Sequence, residues 1–435
     1  MNARTTALSA LIACRKQGAW SDGVLKEYTH RDKLDRRDAG LAAQLCYGVL
    51  QNRQLLDHYL SGLVKGKLKD LQPVVLDILR LGLYQLLFLD KIPPSAAVNE
   101  AVEQGKKYAN ARAAGLINGV LRNAIRQKDS LMPPSDLATR YSHPKALVNL
   151  LAEQMSRQEL EMVLKANNEA PETVLQLNPL VTTLEEVHRE ISAAGGVSRD
   201  HPWLENCCSV SGVGSIDGLK VFQSGGVYVQ DAASRLAVRC AGLKPGMRVL
   251  DACAAPGGKT FAAAVDMRGQ GSIISCDIHS HKLTLIEKSA RRLGFDLLTV
   301  RQQDASRFVP EWEGVMDAVI VDAPCSGLGI IRKKPDIRDK ELSQTEALPE
   351  IQLKILDNQA RYVRPGGVLL YSTCTILRRE NQDVVEKFLM NHPDFTRENL
   401  PLPEVIENDG SGMLTLLPGK YDTDGFFICK LRRKS

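Results

Sequence analysis

The first third of the chain carries apolar residues at helical spacing. In residues 1–128 they recur three and four positions apart, which places each group on one face of a helix. These groups are Leu8, Leu11 and Ile12; Leu41, Leu45 and Val49; Val75, Ile78 and Leu79; and Ile117, Val120, Leu121 and Ala124. Because no strand-like alternation competes with this pattern, we predict an all-α domain over residues 1–130.

Paired prolines end the helical pattern and introduce a mixed region. Residues 129–135 combine Pro133 and Pro134 with turn-forming residues, which favours a domain boundary there. Beyond it, the pattern predicts helices over 146–164 and 184–194 and strands over 173–177 and 207–210. We therefore predict a small α+β module over residues 136–230.

From residue 231 the pattern repeats as strand, loop and helix. Strands are predicted for the apolar runs 248–252, 272–276, 297–301, 318–321 and 367–371, and helices near residue 258 and over 280–293 and 345–363. Such alternation predicts a doubly wound parallel sheet with right-handed crossovers. The loops after its strands would line a ligand crevice, as in Rossmann-like α/β domains.

A glycine-containing loop follows the first of these strands. Residues 251–260 lie at a strand-to-helix junction, where N–H groups and the helix dipole favour a negative ligand group. A P-loop would need glycine at Cys253, and the dinucleotide fingerprint is absent. S-adenosylmethionine (AdoMet) fits better, because Asp251, Asp277 and Asp304 end three successive strands. Asp277 is placed to accept hydrogen bonds from ribose hydroxyls, and Asp304 lies within reach of an adenine edge. Each aspartate alone could instead cap the following helix.

Two cysteines follow strands later in the same domain. Cys325 ends the sequence Asp-Ala-Pro-Cys at 322–325, and Cys374 lies in Ser-Thr-Cys-Thr at 372–375. If their strands are neighbours, both thiols converge on the cofactor loop. Two buried structural cysteines are the alternative interpretation.

Paired thiols at such a site suit chemistry on a cytosine ring. A thiolate that adds to carbon 6 makes carbon 5 a nucleophile that can accept a methyl group. Asp322 can stabilise the activated ring by hydrogen bonding near nitrogen 3, and a helix predicted to begin near Glu380 can favour the thiolate. The spacing does not determine which thiol attacks.

The charge distribution and the cysteine content favour some partners and cellular compartments over others. Of the net charge of +5, residues 1–130 hold 20 Lys+Arg against 12 Asp+Glu, and the remainder holds 36 against 39. A basic N-terminal part is expected to meet an acidic polymer, although a solvated helical surface has the same composition. The ten cysteines show no C-x-x-C pairs, which disfavours a zinc site and suits a reducing cytoplasm. We expect neither a secretory signal nor a membrane span.

The motifs of the C-terminal part resemble the RNA 5-methylcytosine methyltransferases of the Nol1/Nop2/Sun family. Residues 251–260 resemble the AdoMet motif, 322–325 the proline–cysteine motif and 372–375 the threonine–cysteine motif. Residues 329–338 and 424–427 also look like that family. The resemblance implies RNA (cytosine-5) methylation.

The N-terminal part resembles the NusB RNA-binding fold, at residues 79–86, 94–101 and 118–123. The two likenesses imply three domains: a NusB-like RNA-binding domain at 1–130, a connecting and RNA-binding module at 136–230, and an AdoMet-dependent methyltransferase domain at 231–435. They imply rRNA processing in the cytoplasm, with 16S ribosomal RNA as partner. We expect a monomer that binds no DNA, membrane or metal.

The resemblance also assigns roles to residues. Cys374 looks like the nucleophile, Cys325 like the residue that assists release, and Asp322 like a third catalytic group. The residues that match the family's AdoMet contacts are Cys253, Ala254, Ala255, Pro256, Gly257, Gly258, Lys259, Asp277, Asp304 and Asp322. Thr375 stands where the family often has Ser, and retains the hydroxyl.

Three other functions remain open from the sequence. A transfer RNA cytosine-5 methyltransferase would share the chemistry, and only the NusB-like part disfavours it. A non-catalytic RNA-binding assembly factor would have no use for both cysteines, Lys259 and the strand-end aspartates. A DNA methyltransferase would attack with Cys325 and leave Cys374 without a role.

Overall fold

Two compact units make up the chain, of which a computed structural model describes residues 2–17 and 20–435. One unit comprises Met1–Glu169 with Ile331–Lys340, and the other comprises Ala170–Ile330 with Glu341–Ser435. The division into domains at 1–130, 136–230 and 231–435 stays a prediction. In the described ranges, no helix is both long enough and apolar enough to span a membrane.

The first unit is helical. Its helices are α1 (Ala3–Gln17), α2 (Ser21–Arg31), α3 (Arg36–Gln51), α4 (Arg53–Leu63), α5 (Pro73–Phe88), α6 (Pro94–Tyr108), α7 (Ala111–Arg126), α8 (Leu137–Arg140), α9 (Lys145–Ala152) and α10 (Arg157–Ala166). The Asp35 and Asn110 side chains cap α3 and α7 by accepting N–H groups. Leu45, Ile78 and Leu121 from the predicted apolar faces are fully buried. The prediction of an all-α N-terminal region is confirmed.

The single helix predicted over residues 146–164 is wrong. The Ser156 hydroxyl accepts the Glu159 N–H at 3.2 Å, and the Glu159 carboxylate accepts the Ser156 N–H at 2.9 Å. This reciprocal pair is a capping box, which starts a new helix at α10 after α9 has ended. The apolar spacing continued across the break and hid it.

A segment from the later sequence, Ile331–Lys340, belongs to the helical unit. The guanidinium of Arg338, which is 3% exposed, donates to the carbonyl oxygens of Gln51 at 2.8 Å and Ser142 at 3.0 Å, and to Asn168 Oδ1 at 3.0 Å. Burial lowers the pKa of Arg338 to about 10. One buried side chain therefore holds the end of α3 to the segments that flank α9 and α10.

The second unit contains strands and helices in alternation. Its elements are β1 (Thr173–Leu177), α11 (Leu184–Ala193), β2 (Val197–Asp200), β3 (Cys207–Ser211), α12 (Lys220–Gln223), β4 (Val227–Val229), α13 (Ala232–Ala241), β5 (Arg248–Asp251), α14 (Gly258–Asp266), β6 (Ser272–Asp277), α15 (Ser280–Leu293), β7 (Leu298–Gln302), β8 (Met316–Asp322), α16 (Leu348–Ala360), β9 (Val363–Thr373), α17 (Gln382–Asn391), β10 (Phe395–Arg397), β11 (Met413–Leu416) and β12 (Phe426–Arg433).

A small antiparallel sheet opens this unit, in the order β2-β3-β1-β4. The sequence predicted β1, β3 and α11, but not β2 or β4. Val197 at the start of β2 is 55% exposed, and β4 has only three residues. Neither strand therefore carries a clear apolar pattern.

The large sheet has the order β10-β12-β9-β8-β5-β6-β7, with β11 paired to β12. Strands β9, β8, β5, β6 and β7 are mutually parallel, as the sequence predicted. The edge formed by β12, β10 and β11 is antiparallel and was not predicted. Because β8 lies between β5 and β9, the loops after these three strands meet at one end of the sheet.

Candidate active site

A cavity of about 420 Å³ lies at the carboxyl ends of β5, β6, β7 and β8. Its lining residues are Ala252, Cys253, Ala255, Asp277, Ile278, His279, Lys282, Gln303, Asp304, Ala305, Ser306, Asp322, Pro324, Ile351, Lys354 and Ile355. Five of the residues matched to AdoMet contacts are therefore in the lining: Cys253, Ala255, Asp277, Asp304 and Asp322. The size suits a nucleoside-sized ligand.

Two carboxylates enter this cavity from neighbouring strands. Asp277 is the last residue of β6, and its Oδ1 accepts the His279 N–H at 2.9 Å. Asp304 follows β7 and accepts the N–H and the hydroxyl of Ser306 at 2.9 and 2.8 Å. The bonds from Ser306 hold the pKa of Asp304 below its ordinary value. Such fixed acceptors suit the hydroxyl and amino groups of a nucleoside.

The glycine loop shapes the site from outside the cavity lining. Ala254, Pro256 and Gly257 lie in the turn between β5 and α14, and Gly258 begins α14. None of the four is a lining residue. Gly257 has φ +112°, and a Cβ there would lie 2.5 Å from the Phe261 ring. A side chain at Gly257 would force the turn open, so the loop depends on glycine at this position.

Lys259 points to a carboxylate rather than lining the cavity. It is 8% exposed, and its Nζ donates to Asp322 Oδ2 at 2.7 Å and Ser234 Oγ at 2.9 Å. The other carboxylate oxygen of Asp322 accepts the Ser372 hydroxyl at 3.0 Å. Asp322 is therefore held from two sides, by α14 and by β9.

Asp251, the first of the strand-end aspartates, is buried behind the cavity. It is fully buried and accepts the Thr260 hydroxyl at 2.7 Å. Burial raises the pKa of Asp251 to about 7. Its carboxyl joins β5 to α14, and it is absent from the cavity lining.

The two cysteine turns meet beside Asp322. Cys325 Sγ and Cys374 Sγ are 3.2 Å apart, and both residues are partly exposed. The Ser326 and Thr375 hydroxyls are hydrogen-bonded at 2.8 Å. The expected convergence arises because Asp322 on β8 pairs in register with Ser372 on β9.

The Cys325 thiol has an environment that disfavours its thiolate. A hydrogen bond with Cys374, burial, and the charges of Glu380 and Asp322 raise the pKa of Cys325 well above its ordinary value. The Cys325 thiol therefore stays protonated at neutral pH.

Glu380 and Asn381, which follow Cys374 in the chain, hold the two cysteine turns, and no sequence pattern predicted this role. A helix was predicted to begin near Glu380, and α17 begins two residues later, at Gln382. The Ser326 N–H donates to Glu380 Oε2 at 2.9 Å. The Thr373 hydroxyl donates to Asn381 Oδ1 at 2.6 Å, and Asn381 Nδ2 donates to the Thr375 carbonyl at 3.0 Å. Such bonds need the two turns to be neighbours, which a sequence pattern does not show.

Other cavity residues also escaped the sequence reading. His279 lines the cavity, as do Ile351 and Lys354 from α16. Helix α16 lies in the crossover between β8 and β9, outside the strand-end loops in which the motifs were found, so its contribution to the cavity was not predicted. Among residues 2–17 and 20–435, no group of three or more His, Cys, Asp or Glu side chains is placed to hold a metal ion.

Curated relatives match over the whole chain. A probable ribosomal RNA small subunit methyltransferase B of Bacillus subtilis (strain 168) is 38% identical and covers 99% of this chain and 98% of its own. Ribosomal RNA small subunit methyltransferase B of Klebsiella pneumoniae (strain 342) is 33% identical and covers 100% and 99%.

Solved structures share the architecture. The crystal structure of PH0851 has a TM-score of 0.80 at 25% identity and covers 99% of this chain and 98% of that one. NSun6 from Pyrococcus horikoshii has a TM-score of 0.60 at 22% identity and covers 67% and 98%, which supports the fold alone.

Two family models match separate parts of the chain. The NusB family matches residues 1–126, and the family described as 16S rRNA methyltransferase RsmB/F matches residues 240–432. Together with relatives above 30% identity over the full length, these matches establish that the chain belongs to the 16S rRNA methyltransferase RsmB/F family and carries an N-terminal NusB-family region.

Proposed function

We propose that the protein is a cytoplasmic, AdoMet-dependent methyltransferase that modifies carbon 5 of one cytidine in 16S ribosomal RNA. The observation that carries the chemistry is the 3.2 Å separation of Cys325 and Cys374 Sγ beside Asp322. A methyltransferase that uses no covalent adduct has no need of two adjoining thiols.

Cys374 is the nucleophile in this proposal. Its thiolate adds to carbon 6 of the flipped-out base, and the ring electrons shift so that carbon 5 becomes nucleophilic. Asp322, whose carboxylate accepts hydrogen bonds from Lys259 and Ser372, is the group that binds the ring's polar edge in this proposal. Once carbon 5 carries the methyl group, transfer of its proton to a base restores the double bond between carbons 5 and 6 and expels Cys374 as a thiolate, and Cys325 assists this release.

The cavity residues fit the methyl donor. AdoMet supplies an electrophilic methyl group attached to a positively charged sulfur. Asp277 and Asp304 offer carboxylate acceptors for hydroxyl and amino groups, and Ile278, Ile351 and Ile355 offer apolar surface for a base. Gly257 gives the loop the sharp turn that brings its backbone close to a ligand.

Cofactor binding is tested with Asp277→Ala. We expect the dissociation constant of AdoMet, measured by calorimetry, to rise about tenfold or more, because a hydrogen-bond acceptor for a ligand hydroxyl is lost. Asp296→Ala is the control, since Asp296 is exposed and outside the cavity lining. Equal affinities in the two variants would remove Asp277 from the cofactor site.

The substrate is tested by methyl transfer from radiolabelled AdoMet to RNA from cells that lack the gene, separated into 16S, 23S and transfer RNA. Label in 5-methylcytidine of 16S RNA is the expected result. Label in transfer RNA would support the proposed chemistry and show that the substrate is transfer RNA instead of 16S RNA. Absence of label from naked RNA and from assembling small subunits alike would favour a non-catalytic assembly factor.

A further inference from the structure

Glu380 is a buried charged residue that the proposed reaction leaves without a role. It is fully buried, and its Oε2 accepts both the Ser326 N–H at 2.9 Å and Gln352 Nε2 at 3.0 Å. Its Oε1 is buried and has no hydrogen-bond partner in the described part of the chain. Burying a carboxylate without a cation beside it costs several kcal/mol, so mere stability does not explain this side chain.

The contacts of Glu380 centre on the proline–cysteine turn. Ser326 directly follows Cys325, and Gln352 also donates to the Pro324 carbonyl at 2.9 Å. Glu380 and Gln352 therefore hold the residues on both sides of Cys325. The Glu380 carbonyl accepts the Tyr371 hydroxyl at 2.7 Å, which ties the same residue to β9.

Asn381, the next residue, holds the other turn. It bonds the Thr373 hydroxyl and the Thr375 carbonyl, which flank Cys374. Two consecutive residues thus fix both cysteine turns, one turn each. A direct bond from the Gly329 N–H to the Cys374 carbonyl at 3.0 Å closes the arrangement.

We propose that Glu380 is a positioning residue that gives the two thiols different roles, by fixing Cys325 against Cys374 and placing a negative charge that acts on Cys325. This rests on the proposed attack by Cys374. In this assignment Cys325 keeps its proton and lies 3.2 Å from Cys374 Sγ, and Cys374 is the thiol that attacks the ring.

The titratable groups around Cys325 support this assignment. They are Cys374 from the turn after β9, Asp322 at the end of β8, Glu380, and Tyr371 within β9. Cys374, Glu380 and Asp322 all act to raise the pKa of Cys325, and burial also raises the pKa of Tyr371. Glu380 also accepts hydrogen bonds from Ser326, the residue after Cys325, and from Gln352.

Glu380→Gln separates charge from geometry. The glutamine oxygen can accept both bonds that Oε2 accepts, while its amide group replaces the unpartnered Oε1 and removes the charge. The measurement is the rate of iodoacetamide alkylation of each cysteine over a series of pH values, read by peptide mass spectrometry without RNA. We expect the Cys325 profile to move down by about one pH unit. The matched control is Glu386→Gln, an exposed residue of α17 that pairs with Arg378.

An unchanged Cys325 profile in Glu380→Gln would overturn the proposal. A shifted profile together with a weakened AdoMet affinity and a lower unfolding temperature would also overturn it, because general loosening would explain the shift. Since alkylation needs no RNA, a failure of the proposed methyl transfer appears separately, as absent label with the wild-type protein.

Glu380→Asp is the second variant, and it keeps the charge but shortens the side chain. We expect its Cys325 alkylation profile to stay near that of the wild type. We expect the kcat for methyl transfer to fall about tenfold with KM for AdoMet unchanged, because the turn is no longer held. An unchanged kcat would contradict the positioning role even if the glutamine variant did not fold.

Discussion

Cys325 and Cys374 follow neighbouring parallel strands, yet the chain around the two thiols differs. The Cys374 turn is closed on itself, because Asn381 bonds residues on both sides of the thiol. The Cys325 turn is held from outside by Glu380 and Gln352, and the chain after it continues into Ile331–Lys340 of the helical unit. Two chemically identical side chains thus have different surroundings, because one turn is closed by the residues that follow it and the other is held by residues distant in the sequence.

Cys374→Ala removes the thiol that is proposed to attack the ring, and it should have the largest effect of the substitutions at the two turns. We expect methyl transfer to fall by about four orders of magnitude or more, because no thiolate remains to form the adduct. Radiolabel incorporation into RNA measures it. Cys14→Ala, a partly exposed cysteine of α1, is the control and should retain activity. Full activity of Cys374→Ala would move the attack to another group.

Cys325→Ala should give a different defect. The adduct should form and release slowly, by about 10²–10⁴-fold, because the group that assists release is absent. A slowly migrating protein–RNA band on a denaturing gel reports it. The Cys325→Ala, Cys374→Ala double variant is the control and should show no band; a missing band in Cys325→Ala itself would contradict its role in release.

Asn381→Ala would open the closed turn. We expect the free energy of unfolding to fall by about 2–4 kcal/mol, because the Thr373 hydroxyl and the Thr375 carbonyl lose buried partners. Denaturant unfolding measures the loss. Asn391→Ala, exposed at the other end of α17, should change stability by about 0.5 kcal/mol or less. Equal effects in the two variants would mean that Asn381 does not hold the turn.

The bond between the Ser326 and Thr375 hydroxyls measures how strongly the two turns are coupled. A double-mutant cycle of Ser326→Ala and Thr375→Val should give a coupling energy of about 1 kcal/mol in denaturant unfolding. The single variants serve as the controls. Additive effects would show that the turns are held independently.

The sequence predicted what repeated patterns encode. Apolar spacing identified the helices that bury Leu45 and Ile78, and alternating strands and helices identified the parallel sheet. The positions of Cys325 and Cys374 just after predicted strands indicated that the two thiols would lie close together. Patterns of this kind indicate which residues are buried and in which direction each strand runs. Neither property depends on a particular partner residue.

What the sequence did not predict depends on particular partners. Lys259 matched a cofactor motif, but its ammonium group is bonded to Asp322, across the sheet end. Asp251 shared its strand-end position with Asp277, but only Asp277 lines the cavity. Glu380 and Arg338 are charged residues that are buried, because their hydrogen-bond donors and acceptors come from distant parts of the chain. Long-range hydrogen bonds leave no periodic signal.

The segment Ile331–Lys340 has a consequence for building chimeras from this family. The backbone passes between the two units after Glu169, after Ile330 and after Lys340, so the helical unit is not a terminal module that can be cut at one junction. A graft that replaced only the N-terminal residues would leave Arg338 facing foreign acceptors in place of the Gln51 and Ser142 carbonyls. A clean exchange must carry this internal segment with it, and the junction at Ile330 begins just beyond the thiol that the exchange would need to leave undisturbed.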